Sequence, residues 1–410
     1  MSTLRKVKIK DLGKIFTGST PSTKDAKMWG GIYPFVKPSD LVGGSRRVPR
    51  TEMMLSEAAT KTGKGRLLPK GTTCVVTIGT IGKLCQLSEA AATNQQINSI
   101  AVDKENFDED YVYYLMTQSI DRVKIVEGGS ASGREHVKKS TFEQIELDVL
   151  PLQQQQKLSR LVRKYDDLIE NNNRRIAILE DMAQSLYREW FVKFRHPGHE
   201  DSLDADGHPK LVDSPLGQIP EEWEVKPLGE LVEFKRKTIK KGIVPENTPY
   251  MGLEHYPRKS IALSNWEEVS EIGSNKLAFS RGDILFGKIR PNFHKVGVAQ
   301  VDGLCSSDTF VLSPKERTHY SLITMVTFSN EFVAQAVQTA QGSKMPRASW
   351  DVLQEFAVCV PDSKVFKSFN SVVTPAIDQI RVLSLKNRNL KLQRDMLLPK
   401  LISGQIELKE

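Results

Sequence analysis

One pattern occurs twice in this chain, first as Lys70-Gly71-Thr-Thr-Cys-Val-Val-Thr-Ile78 and again as Arg281-Gly282-Asp-Ile-Leu-Phe-Gly-Lys-Ile289. In each copy a basic residue and a glycine precede a run of mainly apolar residues. Glycine favours a turn, and a short apolar run after a turn predicts a buried strand. We therefore expect the same turn and strand in two parts of the molecule.

Further landmarks accompany both copies in the same order. A Leu-Gly pair stands near the start of each half, at Leu12-Gly13 and at Leu228-Gly229. A Gly-Ser loop comes later, and after it a strand that ends in proline. From Gly71 to Pro151 is 80 residues, and from Gly282 to Pro361 is 79. Such near-equal spacing over a long interval indicates an internal repeat.

A long helical pattern follows each proline, at about 153–190 and about 363–398. Apolar residues recur at alternating steps of three and four, which is typical of a helix that pairs with another helix. The two series of the first helix are Leu158, Tyr165, Asn172, Leu179 and Leu186, and Leu161, Leu168 and Met182. Those of the second helix are Phe366, Val373, Ile380 and Asn387, and Phe369, Ala376, Leu383, Leu390 and Leu397.

Each helical seam contains one asparagine, Asn172 or Asn387. A polar residue in an apolar seam can set the register of two paired helices. An asparagine at the solvent-exposed edge of the seam fits the same pattern, so both interpretations stay open.

These features predict an α+β fold with a pseudo-two-fold internal repeat. Two mixed α/β domains are joined by two long helices that pair as an antiparallel coiled coil, which would hold one domain near each end. The expected segments are a first domain at 1–151, a central helix at 152–194, a linker at 195–222, a second domain at 223–361 and a C-terminal helix at 362–405. The linker is rich in Gly, Pro, Asp and His, as expected between domains.

Positive charge is concentrated in two blocks of the 410-residue chain, whose formal net charge is +8. Residues 1–70 carry 15 Lys and Arg against 5 Asp and Glu, and residues 235–300 carry 12 against 6. Two basic blocks suit a polyanion long enough to touch both, so nucleic acid is the leading candidate partner. Basic clusters that only solvate a surface explain the charge equally well.

The sequence argues against several classes of protein. It has no run of about 18 apolar residues and no apolar stretch directly after its charged start, so we expect neither a membrane span nor a secretory signal, and a cytoplasmic location. Its four cysteines include no Cys-x-x-Cys pair. That pattern argues against a disulfide framework or a thiolate zinc site, and we expect reduced, partly buried thiols.

Apparent catalytic motifs are incomplete. The stretch from Gly282 to Ile289 matches a phosphate-binding loop but has Ile where that loop needs Ser or Thr. Asp362 follows a proline and is expected to cap a helix rather than hold a metal. Three linker histidines lack the cysteines or the HExxH helix of a metal site. We therefore expect a chain that binds but does not catalyse, without a metal site.

The chain resembles the DNA-specificity subunits of type I restriction-modification systems over essentially its whole length. The resemblance rests on the duplicated halves, on Leu216-Gly217-Gln218-Ile219-Pro220-Glu-Glu-Trp223-Glu-Val-Lys-Pro-Leu-Gly229, and on the opening Leu12-Gly13-Lys-Ile-Phe-Thr-Gly18-Ser-Thr-Pro21. It implies two target-recognition domains that each read one half of a bipartite site on double-stranded DNA, while the paired helices span the unread spacer.

The resemblance also implies enzyme partners. These are two modification subunits, which are methyltransferases that use S-adenosylmethionine to methylate adenine, and ATP-driven restriction subunits with motor and nuclease activity. S-adenosylmethionine, ATP and magnesium would belong to those partners, with no cofactor in this chain and no membrane contact. A stand-alone two-headed DNA-binding regulator and a coiled-coil scaffold with incidental basic blocks are the alternatives.

Candidate DNA contacts follow from residue chemistry. Base edges are read chiefly by Arg, Lys, Asn and Gln, and phosphates by Lys, Arg, Ser and Thr. In the first domain the candidates are Lys37, Ser39, Arg46, Arg47, Lys64, Arg66, Thr80, Lys83, Asn94, Gln95, Gln96 and Arg134. In the second domain they are Lys288, Arg290, Asn292, His294, Lys295 and Arg347. For each of them, ordinary surface polarity is the alternative.

The end of the first helix carries more aromatic area than a helical seam needs. Trp190, Phe191 and Phe194 are therefore candidate anchors for a methyltransferase subunit. The same side chains could equally cover the end of the coil or pack on a recognition domain.

Overall fold

The computed structural model describes residues 4–41, 45–48, 51–125, 136–201 and 210–408. The chain forms two compact units. The first unit contains residues 1–170 and 390–410, and the second contains residues 171–389. Each unit therefore includes one of the repeated domains and a segment of both long helices.

The first unit is built on small sheets. Its strands are β1 (Arg5–Lys8), β2 (Gly13–Thr17), β3 (Trp29–Val36), β4 (Met53–Leu55), β5 (Thr73–Val76), β6 (Leu84–Gln86), β7 (Ala92–Thr93), β8 (Ile97–Val102) and β9 (Glu146–Val149). An antiparallel sheet has the order β2-β8-β5-β6, and a second sheet has the order β4-β3-β7. β1 pairs with β9.

Short helices accompany these sheets. They are α1 (Glu57–Thr60), α2 (Glu109–Gln118), α3 (Ile120–Ile125) and α4 (Lys139–Glu143), with 3₁₀ turns at Ile9–Leu12 and Ala26–Met28. Asp108 caps α2, because its carboxylate accepts a hydrogen bond from the Tyr111 amide at 2.8 Å. Six consecutive residues of α2, from Tyr111 to Met116, are buried in the core of this unit. The first long helix, α5 (Leu152–Tyr187), follows β9.

The second unit repeats this architecture with more strands. They are β10 (Leu211–Ser214), β11 (Gly217–Pro220), β12 (Glu224–Pro227), β13 (Val232–Lys235), β14 (Thr238–Ile239), β15 (Gly242–Met251), β16 (Glu267–Ile272), β17 (Lys276–Phe279), β18 (Ile284–Gly287), β19 (Val296–Val298), β20 (Gly303–Ser306), β21 (Thr309–Pro314) and β22 (Ala357–Val360). Two sheets have the orders β13-β21-β18-β19 and β14-β17-β20-β15-β16, while β10 pairs with β11 and β12 with β22.

The helices of the second unit include the second long helix. They are α6 (Leu228–Leu231), α7 (Tyr320–Phe328), α8 (Asn330–Gln338), α9 (Trp350–Leu353) and α10 (Ser363–Ile402), whose last residues belong to the first unit. Short 3₁₀ turns lie at His199–Asp201, Leu253–His255, Pro291–Phe293 and Arg317–His319. Asp362 caps α10 by accepting bonds from the amides of Lys364 and Val365 at 2.6 and 3.1 Å, as its position after a proline predicted.

The internal repeat is confirmed by the strand pairing of the two units. β2-β8-β5-β6 and β13-β21-β18-β19 have the same order and are antiparallel throughout. The parallel pair β3 and β7 in the first unit corresponds to the parallel pair β15 and β20 in the second. The predicted α+β class with duplicated mixed domains is therefore correct.

The pairing corrects one landmark of the repeat. The Ile9 amide bonds the Ile145 carbonyl, and the Leu228 amide bonds the Phe356 carbonyl in the equivalent place. Leu228 is therefore the counterpart of Ile9, and the Leu-Gly pairs at 12–13 and 228–229 are not equivalent. The two Leu-Gly pairs are offset by three residues within the repeat. The first pair follows the helical turn that begins at Ile9, whereas the second pair begins the equivalent turn at Leu228.

The long helices pair in antiparallel fashion within each unit. In the second unit, Asn172 contacts Asn387 and the later Phe191 contacts the earlier Phe369. In the first unit, Asp166 contacts Arg394, and Leu158 shares a core with the later Leu401. In α10 the predicted residues from Phe366 to Asn387 are all buried, together with Ile377 and Ser384. Beyond them the predicted Leu390 and Leu397 are only half-buried, whereas Leu398 and Leu401 are buried.

One predicted series in α5 is wrong. Leu168 is 51% exposed and Met182 is 36% exposed. The companion row consists instead of residues one position later, and all five are buried: Val162, Ile169, Ile176, Ala183 and Trp190. Both rows fit alternating steps of three and four, and the rotation of the helix against its partner selects between them.

The aromatic end of the first helix is packed inside the second unit. α5 continues as a π-helical turn, Arg188–Val192, which places Trp190 and Phe191 in the core. The ring centroids of Phe191 and Phe369 lie 4.7 Å apart, and those of Phe194 and Trp223 lie 5.6 Å apart. Trp190 and Phe191 are thus not exposed anchors for a partner, and half-buried Phe194 is covered by Trp223. Their contacts are with Phe369 of the second long helix and with Trp223 of the second domain, in agreement with the two internal alternatives.

The excluded motifs have ordinary structural roles. The apolar interior of the stretch resembling a phosphate loop is strand β18, which is buried throughout.

All four cysteines are buried thiols. None of the helices in the described parts of the chain combines the length and apolarity that crossing a bilayer requires.

Candidate nucleic-acid interface

Segments far apart in the sequence of the first unit meet beside the end of β2. The Ser19 hydroxyl donates to the Lys64 carbonyl at 2.9 Å, and the Thr20 hydroxyl donates to Oε1 of Gln95 at 2.5 Å. Lys64 and Gln95 are exposed here, as is Arg66. We call Ser19, Thr20, Lys64, Arg66 and Gln95 the first surface, because it combines cations with amide and hydroxyl groups that suit DNA.

A tight turn at residues 77–82 adjoins the first surface. The Thr77 amide donates to the Gln96 carbonyl at 2.8 Å, and exposed Thr80 lies at the tip of the turn. Gly79 and Gly82 have φ angles of +83° and +98°, which explains the glycines as turn residues rather than as parts of a site. A side chain at Gly82 would also collide with Ile120.

Asn94 supports its neighbour instead of facing solvent. It is buried, its Nδ2 donates to Oε1 of Gln96 at 2.9 Å, and its Oδ1 accepts from the Gln96 amide at 3.1 Å. The prediction of Asn94 as a direct contact is therefore wrong, because its polar atoms are used to orient half-buried Gln96.

A second group of candidates lies around residues 37–41. Lys37 is paired with Glu52 at 2.6 Å, and this contact lowers the pKa of the Glu52 carboxyl. Nζ of Lys83 lies 3.4 Å from the Pro38 carbonyl and 3.5 Å from that of Leu41. Ser39 is exposed between them. Lys37 and Lys83 thus bond to groups of the chain's own fold, whereas Ser39 stays exposed.

Arg46 is not a surface residue. It is 5% exposed, forms a close ion pair with Asp110 and donates from Nε to Gln86 at 3.0 Å. Burial acts to lower its pKa, but Tyr114, Asp110, Asp166 and Tyr113 together outweigh burial and raise it. A buried, paired guanidinium cannot reach DNA, so this prediction is wrong. Its neighbour Arg47 is partly exposed and lies 3.7 Å from Glu170.

In the second unit, most candidates follow β18 in a loop at residues 288–295. Arg290 and His294 have φ angles of +48° and +51°, which are strained values for residues with side chains. The Arg290 amide bonds the Pro346 carbonyl at 2.8 Å. Arg290 and Asn292 remain exposed. We call Arg290, Asn292 and the nearby exposed Arg347 the second surface.

His294 and Lys295 hold this loop in place. Nε2 of buried His294 lies 3.0 Å from the Phe328 carbonyl, and burial lowers the pKa of its imidazole. Nζ of Lys295 donates to the Leu253 carbonyl at 2.5 Å, and burial again lowers its pKa. The prediction of His294 as a DNA contact is wrong, and half-buried Lys295 makes an internal bond.

Asp308 contacts two basic side chains at the second surface. Nε of Arg347 lies 3.1 Å from Oδ1 of Asp308, and Nζ of Lys288 lies 3.9 Å from the same oxygen. Arg134, offered as the first-unit counterpart of Arg347, lies outside the described residues. The strand bridges identify another counterpart, because Ile289 pairs with Arg347 as Ile78 pairs with His136.

Sequence reasoning missed several residues of both surfaces. The Arg258 guanidinium lies 4.2 Å from the centre of the Phe293 ring, and Arg290 lies 6.0 Å from the same ring. Arg258 belongs to the second basic block, so charge counting contained that signal. For Ser19 and Thr20, the signal in the sequence is the preceding Gly18, because a side chain at position 18 would collide with the Asn94 carbonyl.

Comparison with known proteins identifies the family. The family model described as "Type I restriction modification DNA specificity domain" matches residues 1–181 and again residues 220–371. The chain belongs to this type I specificity family. The two matches agree with the two repeats of the fold.

Named members of the type I specificity family are similar to most or nearly all of this chain. The MjaIX specificity subunit of Methanocaldococcus jannaschii is 28% identical over 98% of this chain and 93% of its own length. The EcoDI specificity subunit of Escherichia coli is 25% identical over 62% of this chain and 59% of its own. The crystal structure of the type I restriction-modification S subunit from M. genitalium has the same fold, with a TM-score of 0.60 and 13% identity. The match covers 100% of this chain and 97% of that subunit.

Proposed function

We propose that this chain is the non-catalytic specificity subunit of a type I restriction-modification complex and reads a bipartite site on double-stranded DNA, one half per unit. The observation that carries the proposal is the repeat: each unit has a four-stranded sheet of the same order and its own exposed group of basic and amide side chains. Two related surfaces with different side chains suit two half-sites of different sequence.

The partners in this proposal are enzymes. Two methyltransferase subunits would supply adenine methylation with S-adenosylmethionine, and restriction subunits would supply ATP- and magnesium-dependent cleavage, all in the cytoplasm. Family membership and the printed names of the relatives support these partners. The aromatic end of α5 is not part of the docking proposal, because it is packed within the second unit.

Methylome mapping of the host with and without the gene tests this function. We expect a split adenine-methylated motif that disappears with the gene. Arg66→Ala should weaken or relax recognition of one half of the motif, and Arg290→Ala of the other half. Loss of binding on all DNA equally would instead mark either arginine as a phosphate contact.

The two alternatives predict different outcomes. A stand-alone regulator would be purified without a methyltransferase, and its deletion would leave the methylome unchanged although the protein binds DNA. A coiled-coil scaffold would not be retained on DNA at moderate salt.

A further inference from the structure

The two units share one junction of turn, strand and loop. In the first unit, the Thr77 amide donates to the Gln96 carbonyl at 2.8 Å, and the Val137 amide donates to the Thr77 carbonyl at 2.9 Å. In the second unit, the Lys288 amide donates to the Asp308 carbonyl, and the Ala348 amide donates to the Lys288 carbonyl, both at 2.9 Å. The backbone thus places residues 77, 96 and 136 in one unit where it places residues 288, 308 and 347 in the other.

The side chains at this junction differ in charge. In the first unit they are Thr77, Gln96 and His136, and the Gln96 amide is bound to Asn94. In the second unit they are Lys288, Asp308 and Arg347. The same scaffold therefore presents an amide in one half of the molecule and an acid with two cations in the other.

The contact between Asp308 and Arg347 leaves the outer edge of the guanidinium for a ligand. The Arg347 side chain is 49% exposed. Among the hydrogen bonds of the described residues, its side chain uses Nε, at 3.1 Å from Asp308. The two terminal nitrogens form the fork that fits O6 and N7 of guanine in the major groove. A carboxylate that fixes the orientation of this fork lowers the entropy lost on binding.

We propose that Arg347 is a specificity-determining residue that reads a guanine in one half-site, and that Asp308 is its positioning residue. This inference rests on the proposed function and adds a base identity to it. Arg347 contacts the base, while Asp308 acts by holding the guanidinium. The first unit, which has His136 at the equivalent position, reads its half-site by other chemistry.

The test uses the complete complex with its methyltransferase partner and DNA duplexes that carry the mapped motif. Each position of both half-sites is substituted in turn, and the methylation rate is measured for wild type, Arg347→Ala, Arg347→Lys and Asp308→Asn. Arg317→Ala is the matched control, because Arg317 is an exposed arginine of the same unit in a turn whose Thr318 carbonyl binds Asn370 of α10.

We expect Arg347→Ala to lose discrimination at one G·C pair, by about 5- to 150-fold, the loss of one bidentate contact. Arg347→Lys should not restore it, because an ammonium lacks the fork. Asp308→Asn should reduce discrimination at the same pair by a smaller factor. Arg317→Ala and all positions of the other half-site should be unchanged.

Several outcomes would overturn the inference. Uniform weakening on every duplex would make Arg347 a phosphate contact, and full discrimination by Arg347→Lys would mean that charge alone is read. Loss at an A·T pair, or at a pair different from the one affected by Asp308→Asn, would contradict the assignment. A wild-type complex with no split motif would overturn the proposed function as well, whereas a normal motif that Arg347→Ala leaves unaltered would overturn only this inference.

Discussion

Asp166 and Glu180 are both acids of α5 with 7% exposure, yet the two units surround them differently. In the first unit, the Asp166 carboxylate lies 2.5 Å from Nη1 of Arg394 and accepts from the Tyr114 hydroxyl at 2.6 Å. In the second unit, Oε1 of Glu180 accepts from the Ser260 hydroxyl at 2.6 Å and from the Ile261 amide at 2.7 Å. One acid is paired with a cation and the other is bound by neutral groups.

The difference shows how one pair of helices is stabilised by two kinds of polar contact. Burial acts to lower the pKa of Arg394, but the carboxylates of Asp166 and Asp395 together outweigh burial and raise it. Neutral donors compensate a buried charge less completely, so burial raises the pKa of Glu180 to about 7. The first carboxyl thus faces a cation, whereas the second, with its raised pKa, is a titrating group.

Arg394→Ala should have the largest effect on stability. It leaves Asp166 buried without its cation, which costs about 3–5 kcal/mol when a buried pair is broken. The measurement is chemical denaturation of the full chain. Arg381→Ala on the same helix is the matched control, because Arg381 lies 3.6 Å from the exposed Asp378. If the two variants lose equal stability, the ion pair is not the special feature of the first unit.

Ile169→Ala should have the next largest effect. Ile169 is buried in the corrected seam beside Asp166, and truncation of a buried isoleucine costs about 2–4 kcal/mol. Leu168→Ala, one residue earlier and exposed, should change the free energy of unfolding by less than about 0.5 kcal/mol. The reverse order would restore the seam predicted from the sequence.

Glu180→Gln should change the pH dependence of the second unit. Between the unfolded pKa of 4.5 and the folded value of about 7, the folded state retains a proton that the unfolded state releases, so wild-type stability falls as the pH rises. Glutamine keeps an oxygen acceptor and does not titrate. We expect the variant to be more stable by on the order of 2–3 kcal/mol at pH 8 and by almost nothing at pH 4.

Tryptophan fluorescence can follow this change, since four of the five tryptophans lie in residues 171–389. A constant difference between wild type and Glu180→Gln from pH 4 to pH 8 would contradict the assignment of Glu180 as a titrating group.

Asn387→Leu should have the smallest effect of the four. Asn387 accepts from Asn172 at 2.9 Å and donates to Asn173 at 2.8 Å, and leaving a buried amide unpaired costs about 1–3 kcal/mol. Adding Asn172→Leu should recover much of the loss, because both buried polar groups are then removed. No recovery in thermal denaturation of the double variant would show that the amides do more than satisfy each other. Their role in setting the register stays a prediction.

The sequence predicted the repeat and the pairing of the long helices, but not which row of α5 faces its partner. Landmark spacing and heptad steps are properties of the linear chain, and the predicted seam of α10 is buried from Phe366 to Asn387. The rows containing Leu168 and Ile169 are both apolar and lie side by side on the helix surface. Only packing against α10 decides which of them is buried.

The candidate site was predicted by residue type and therefore only in part. Arg46 and Arg66 have the same chemistry in the sequence, but Asp110, 64 residues away from Arg46, removes Arg46 from the surface. Asn94 and His294 were lost for the same reason, because their polar atoms bond to groups of the fold. Residue type states what a side chain can bind, whereas burial decides whether DNA can reach it.

Duplication, strand and helix class, and the concentration of positive charge were determined by the sequence itself, because each depends on order and spacing along one chain. The rotation of α5, the inward turn of Trp190 and Phe191, and the contact of Arg347 with Asp308 were decided by the tertiary structure. Each of these depends on groups that are distant in sequence, and their burial and mutual orientation exist only after the chain has folded.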